Sequence, residues 1–170
     1  IGVPQVYFKA PEQGLVLLED LGDLTLERKF WENQNQEAII PYYEKSLNEL
    51  AKIHFETAGP ASACTALRTS FDVEKLLWEM NYAKKHLLVD FCKTSLTQTE
   101  EELLSQTFLE ICTTLANEPK VLCHRDFHSR NIMIQKGDVK IIDFQDARLG
   151  PVQYDLVSLL KDSYVDLDIK

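Results

Sequence analysis

Asp126, Asn131 and Asp143 are the side chains whose types and spacing best suit chemistry in this sequence. They lie in and just beyond VLCHRDFHSRNIMI, Val121 to Ile134, where apolar runs close in on a polar cluster that also holds His124, Arg125, His128 and Arg130. Crowding of this kind marks either a surface turn or a reaction site. A strand, a tight turn at QKGD and a returning strand separate Asn131 from Asp143. The two ends of such a hairpin lie side by side, which brings the amide to the carboxylate. Asp126, in the loop that enters the first strand, faces them. Oxygen donors so placed suit Mg²⁺, which takes few ligands from protein and leaves the rest to phosphates and water. A second reading uses the same segment differently: His124 and His128, with Asp126 and Asp143, as a metal-dependent hydrolase with zinc on the imidazoles.

The rest of the chain supplies elements to hold this segment. VYFKA and GLVLLEDL read as two strands joined by a turn at PEQG. LTLERKFWENQNQ reads as a short helix. From Glu37 the pattern is helical, with Ile40, Tyr43, Leu47, Leu50 and Ile53 or His54 as the apolar stripe and Pro41 tolerated in the first turn. TAGPASACTALRTS, rich in small residues and turn formers, is a loop. A helix from Asp72 to about Cys92 follows, carrying Leu76, Leu77, Met80, Ala83, Leu87 and Leu88. Thr97 with Glu100 three positions on forms a capping box for a further helix reaching Ala116, striped by Leu103, Leu104, Phe108, Ile111, Cys112 and Leu115. The character then turns β-branched in KVLC and NIMIQKGDVKIID, RLGPVQYD reads as loop, and YDLVSLLKDSY returns to helix. The fold class is α+β, mainly helical, with a small antiparallel sheet carrying the polar loops.

HRDFHSRN, followed by an Asp before Phe at a strand end, resembles the catalytic loop and metal-binding Asp of the protein-kinase-like superfamily. The resemblance implies that Asp126 orients and deprotonates an attacking hydroxyl, that Asn131 and Asp143 hold Mg²⁺, and that His124 braces the loop. Protein kinases place a long peptide platform ending in A-P-E after the metal Asp. Here DFQDARLGPVQYDL reaches the next helix within twelve residues of Asp143 and has no A-P-E. In that respect the chain is similar to the aminoglycoside phosphotransferase and choline kinase branch, which acts on small molecules. Within it, HRDFHSRN, IDFQDA, GPVQYDLVSLL and LLEDLGD look most like the bacterial sugar-1-kinases for N-acetylmuramate and N-acetylglucosamine.

The resemblance then assigns further residues. Residues 1–22 become the end of an N-terminal lobe and its hinge, and residues 23–170 a C-terminal catalytic lobe. Backbone groups of Glu19, Asp20 and Leu21 would pair with the adenine of ATP. Asp155 would hydrogen-bond the catalytic-loop backbone, although an ordinary helix N-cap suits it equally well. His128 stands near a position where protein kinases often carry a phosphate-touching Lys, against the alternative of a plain loop hydrogen bond. Arg130, Asp146 and Arg148 are candidates for substrate contact or for surface pairing. The phosphate-covering loop, the strand Lys and the helix Glu of a kinase N-lobe are not found in these residues. The expectation is a piece of a longer kinase, with little phosphotransfer activity as the isolated chain. A non-catalytic, pseudokinase-like module is a third reading, against which the intact Asp126, Asn131 and Asp143 argue.

Composition narrows the partners. With 170 residues, 45% hydrophobic and 26% charged, the chain has enough apolar material for one globular core. A formal net charge of −9 with no basic patch disfavours nucleic acid, yet allows a nucleotide held through a divalent cation. No apolar run approaches the roughly 18 residues of a membrane span, and no signal peptide opens the sequence. Cys64, Cys92, Cys112 and Cys123 show no CxxC spacing and read as free thiols in a reducing cytoplasm.

Overall fold

The computed structural model describes residues 1–33, 36–57 and 64–167, so Gln34, Asn35, residues 58–63 of the TAGPASACTALRTS loop and residues 168–170 lie outside the described residues. Strands β1 (Val6–Ala10) and β2 (Leu15–Leu18) pair antiparallel. Gly14, with φ at 66°, closes the turn between them, a conformation that glycine adopts without steric cost. Helix α1 (Leu26–Glu32) starts at Thr25, whose hydroxyl accepts the Arg28 N–H, and it buries Leu26 and Phe30.

Helix α2 (Ile40–Glu56) carries the inner face of the main core, but its phase differs from the expected stripe. Tyr43, Ser46, Leu50, Ile53 and His54 point inward, whereas Ile40 and Leu47 are exposed. Ser46 is the reason. Its hydroxyl donates to the Tyr42 carbonyl, so a polar residue sits sealed in the stripe with its hydrogen bond made internally. Phe30, Ile39, Phe127, Ile132, Ile134, Val139, Ile141 and Leu159 complete that core.

Helix α3 (Val73–Ala83), capped by Asp72, runs into a π-helical segment, Lys84–Phe91. The wider winding turns the stripe away from its neighbours, which leaves Leu87 and Phe91 exposed. Helix α4 (Gln98–Asn117) begins with both bonds of the Thr97–Glu100 capping box, as the spacing predicts. Of its expected stripe, Cys112 alone is fully buried, while Leu103 and Ile111 stay exposed. Phe71, Leu76 and Cys112 form a second, smaller core where α3 meets α4.

Among the described residues the β-structure consists of three separate two-stranded ladders. Strands β4 (Ile132–Gln135) and β5 (Asp138–Ile141) form the expected hairpin, with Lys136 and Gly137 both at positive φ in the turn. Strand β3 (Lys120–Cys123) pairs with β6 (Arg148–Pro151), so RLGP is a strand and not the loop its Gly and Pro suggest. Gly150 shows why: a Cβ there would stand 2.6 Å from the Phe71 ring, and its absence lets that ring pack on the ladder. Helix α5 (Gln153–Leu160) follows directly. Among the described residues no helix is long and apolar enough to cross a membrane, and all four cysteines are free.

Candidate functional site

The loop from the end of β3 to the start of β4 is anchored from below by Asp155. This carboxylate is fully buried in the first turn of α5. One oxygen accepts the His124 N–H at 2.8 Å and faces His54 Nε2 at 3.1 Å, and the other accepts the Arg125 N–H at 2.9 Å. The N-cap of α5 is Val152, so the capping role for Asp155 gives way to the bracing one. Three donors are what makes a buried carboxylate tolerable. His54, Cys123 and Asp155 also form the one cluster of possible metal ligands among the described residues. Its hydrogen bonds are already committed. The Cys123 thiol donates to the Pro151 carbonyl, and burial pushes its pKa up to about 12, so the thiolate that a metal wants is disfavoured.

Arg125 holds φ at 81°, a left-handed conformation costly for a long side chain. Its surroundings over-determine it. Besides the Asp155 bond, its guanidinium reaches Glu79 of α3 at 3.0 Å and Asp146 at 3.4 Å and lies against the Phe71 ring. Asp146 is thus placed as a partner of Arg125.

His124 is sealed, with its ring edge-on to Phe144 and Phe127. Nε2 lies 2.8 Å from the Ile142 carbonyl, which puts the proton on that nitrogen, while Nδ1 has no partner among the described residues. Burial, the largest influence, holds its pKa below the ordinary value despite the nearby Asp155 charge. A neutral, enclosed imidazole fixes the residue before Asp143 and is a positioning group, not one that meets reactants. Unfolding exposes His124 and restores its ordinary pKa near 6.5, so below that pH the unfolded chain binds a proton the folded one refuses. Stability carried by His124 is therefore present above about pH 6.5 and lost as the solution is acidified further. Urea midpoints should fall from about pH 7.5 to about pH 5.5, and His124→Gln should reduce that dependence.

Asn131 and Asp143 meet as the hairpin predicts. The Asn131 amide donates to the Asp126 carbonyl at 3.0 Å and to an Asp143 oxygen at 3.4 Å, and the Asn131 carbonyl accepts the Ile142 N–H. Asp143 itself is exposed and held at a φ of 77°, a strained setting of the kind that surrounding structure sustains at functional sites. Asn131 Oδ1 and Asp143 Oδ1 carry no hydrogen bond among the described residues. This donor set, one carboxylate and one amide oxygen beside open space, fits Mg²⁺.

The Asp126 carbonyl binds the His128 N–H, whereas its carboxylate has no partner among the described residues and lines a cleft of about 300 Å³. His128 lines the same cleft, its ring edge-on to Tyr164 and without a side-chain hydrogen bond among the described residues. The four groups of the hydrolase reading do not converge: no three ligand atoms among His124, Asp126, His128 and Asp143 come within 4.8 Å of one another.

Arg130 turns away from the cleft. It makes two bonds to Glu27 of α1, at 3.0 and 2.9 Å, and covers the Tyr164 ring at 3.7 Å, which fixes α1 to the loop. Arg148 stands over the other side of the local core, 5.5 Å from the Phe71 ring, and lines a different cleft with Thr69, Ser70 and Trp78. In the segment after β2, the Glu19 N–H is bonded to the Gln5 carbonyl and the Asp20 carbonyl to the Gln135 side chain, while the Leu21 side chain is buried.

Asp162 was not legible as a site residue. It is buried, with one oxygen accepting the Ser129 N–H at 2.7 Å and the other the Tyr164 N–H at 2.8 Å. The second bond is an Asx-turn, and Asp-Ser after a helix is its sequence signal, although nothing local announces the reach back to Ser129. Glu79 and His54 were likewise hidden, as ordinary members of helical patterns.

A model of the phosphotransferase enzyme family matches residues 2–169. The chain is 31% identical over 166 residues to an N-acetylmuramate/N-acetylglucosamine kinase of Neisseria meningitidis, covering 98% of this chain and 48% of that protein. It is 30% identical to the protein of the same name from Pseudomonas aeruginosa, covering 97% of this chain and 46% of that one. It therefore spans about half the length of the curated relatives it matches. Among solved structures, the fold is shared with an ADP-bound aminoglycoside phosphotransferase, APH(2'')-Ib, at 19% identity and a TM-score of 0.62 over 97% of this chain and 55% of the other. It is also shared with the choline kinase LicA from Streptococcus pneumoniae, at 17% identity and a TM-score of 0.56 over 96% and 52% of the two chains. Matched along nearly its whole length, the chain belongs to the phosphotransferase enzyme family.

Proposed function

We propose that the protein carrying this chain is an ATP- and Mg²⁺-dependent sugar kinase that phosphorylates the anomeric hydroxyl of N-acetylmuramate or N-acetylglucosamine. The observation that carries the reading is the Asp126 carboxylate, unpartnered at the edge of a cleft and linked through its own carbonyl to the Asn131–Asp143 pair. Asp126 accepts the proton of the acceptor hydroxyl, the freed oxygen bonds to the γ-phosphorus, and the bond from that phosphorus to the bridging oxygen breaks to release ADP. Asn131 and Asp143 would hold Mg²⁺, which when bound supplies positive charge against the phosphates. His128, which lines the cleft with Asp126, would face the transferring phosphate in this reading.

Residues 1–22 serve in this reading as hinge and lobe end, and 23–170 as the catalytic lobe. The Glu19 carbonyl and Leu21 N–H take no hydrogen bond among the described residues, which leaves them for the adenine edge. Free thiols and the nucleotide requirement suit the cytoplasm.

The test uses the full-length protein with ATP, Mg²⁺ and each sugar, followed by phosphorus NMR. The expected product is a sugar 1-phosphate formed with ADP, and chelation of the metal should stop it. Transfer to an aminoglycoside or choline, with neither sugar accepted, would overturn the substrate assignment. ATP cleaved to free phosphate whatever acceptor is present would overturn the kinase reading itself.

A further inference from the structure

We infer that the cleft beside Asp126 is the acceptor subsite and that Lys161 is its specificity determinant, an ammonium that reads a carboxylate on the sugar. The inference rests on the sugar-kinase reading above. The cleft is lined by Arg125, Asp126, His128, Ser158, Lys161 and the 162–164 turn. At about 300 Å³ it stands at the small end of ligand clefts, a size that suits a monosaccharide.

Its far wall is built with care. Asp162, buried, ties the turn to the catalytic loop through the Ser129 and Tyr164 N–H groups. Arg130 clamps the Tyr164 ring, and Trp31 donates its indole N–H to the Tyr164 carbonyl at 3.0 Å. The turn is therefore fixed to both the loop and α1, and the residue at its edge lines the cleft together with Asp126.

Lys161 is that residue. The charges around it are already matched elsewhere: Arg125 by Glu79 and Asp146, and Arg130 by Glu27. Asp162, its neighbour in sequence, has both oxygens committed to backbone N–H groups. Lys161 itself forms no ion pair among the described residues, and only its backbone N–H is engaged, with the Val157 carbonyl. The cleft lining thus holds both a proton acceptor, Asp126, and a cation, Lys161, whose side chain has no acidic partner among the described residues. An acceptor bearing a hydroxyl at one end and a carboxylate at the other is complementary to it. N-acetylmuramate, which carries a lactyl carboxylate that N-acetylglucosamine lacks, is an acceptor of that kind.

The experiment measures kcat/KM for both sugars in the full-length protein and in its Lys161→Met, Lys161→Arg and Lys136→Met variants. The ratio of N-acetylmuramate to N-acetylglucosamine should fall about tenfold in Lys161→Met, the scale of one charge-assisted contact, with the change carried by KM for N-acetylmuramate. Lys161→Arg should restore most of the ratio, and Lys136→Met, in the β4–β5 turn, should leave it as it was. A ratio that does not move in Lys161→Met, because both sugars are affected alike or neither is, overturns the inference and leaves the kinase reading standing. A full-length protein that phosphorylates neither sugar overturns both.

Discussion

In the full-length protein, Asp126→Asn is expected to lower kcat for sugar phosphorylation by roughly 10³-fold, inside the range of about 10²–10⁴ for a positioned general base. Nucleotide binding should survive. The reason is local. The Asp126 side chain makes no hydrogen bond among the described residues, whereas its backbone carbonyl holds both the His128 N–H and the Asn131 amide. An asparagine keeps that carbonyl, so the loop and the Asn131–Asp143 pair keep their arrangement. What disappears is the proton acceptor facing the cleft. Asp143→Asn is the informative contrast, because it removes charge from the donor pair that would hold the metal. It should weaken Mg²⁺-dependent nucleotide binding as well as turnover. The checks are steady-state phosphorylation and titration of ATP with Mg²⁺ for both variants. If Asp126→Asn retained more than a tenth of wild-type kcat, another group would have to be the base.

The contrast between these residues also shows what was legible in the sequence. Asn131 and Asp143 were found together because a hairpin with a two-residue turn leaves its ends no freedom to separate, and the spacing states that geometry. The Thr97–Glu100 box was legible for the same reason: both partners lie within one helical turn. Local pattern is silent where packing partners are distant. RLGP reads as loop by composition, and only the pairing with Lys120–Cys123 and the Phe71 ring over Gly150 make it a strand. Ser46 concealed the phase of α2 by meeting its own hydrogen-bonding need inside the stripe. Arg130, Asp146 and Arg148 were equal candidates as loop charges. The structure separates them through partners on α1, on the catalytic loop and on the Phe71 core, which no local pattern specifies. Long-range carboxylates, Asp155 to His124 and Asp162 to Ser129, form the support of the site; the resemblance to a known family pointed to Asp155, whereas neither resemblance nor periodicity pointed to Asp162.

Asp155 carries the larger share of that support, and its removal should be felt in stability before chemistry. Asp155→Asn replaces an acceptor of three hydrogen bonds by an amide that has one accepting oxygen, leaving the His124 N–H, the Arg125 N–H and the His54 ring to share it. Breaking a buried, charge-assisted arrangement costs roughly 3–5 kcal/mol. At about 2–4 °C per kcal/mol for a domain of this size, thermal unfolding should move down by roughly 6–20 °C. Asp138→Asn is the control, since its pairing with Lys45 lies on the surface and should leave the midpoint almost unmoved. A second effect separates bracing from mere stability. Among the described residues the Asp155 bond is the one contact that holds the Arg125 backbone itself at its left-handed φ, alongside the guanidinium contacts to Glu79 and Asp146, and Asp126 follows directly in the chain. Once that bond is weakened, the strained turn relaxes toward an ordinary conformation and the carboxylate leaves its place over the cleft. Asp155→Asn should therefore lose kcat well below its own unfolding temperature, where the protein is still folded by circular dichroism. Full activity in that folded state would show that the loop holds its shape without Asp155, and an unchanged midpoint would show that the buried network contributes nothing to the fold.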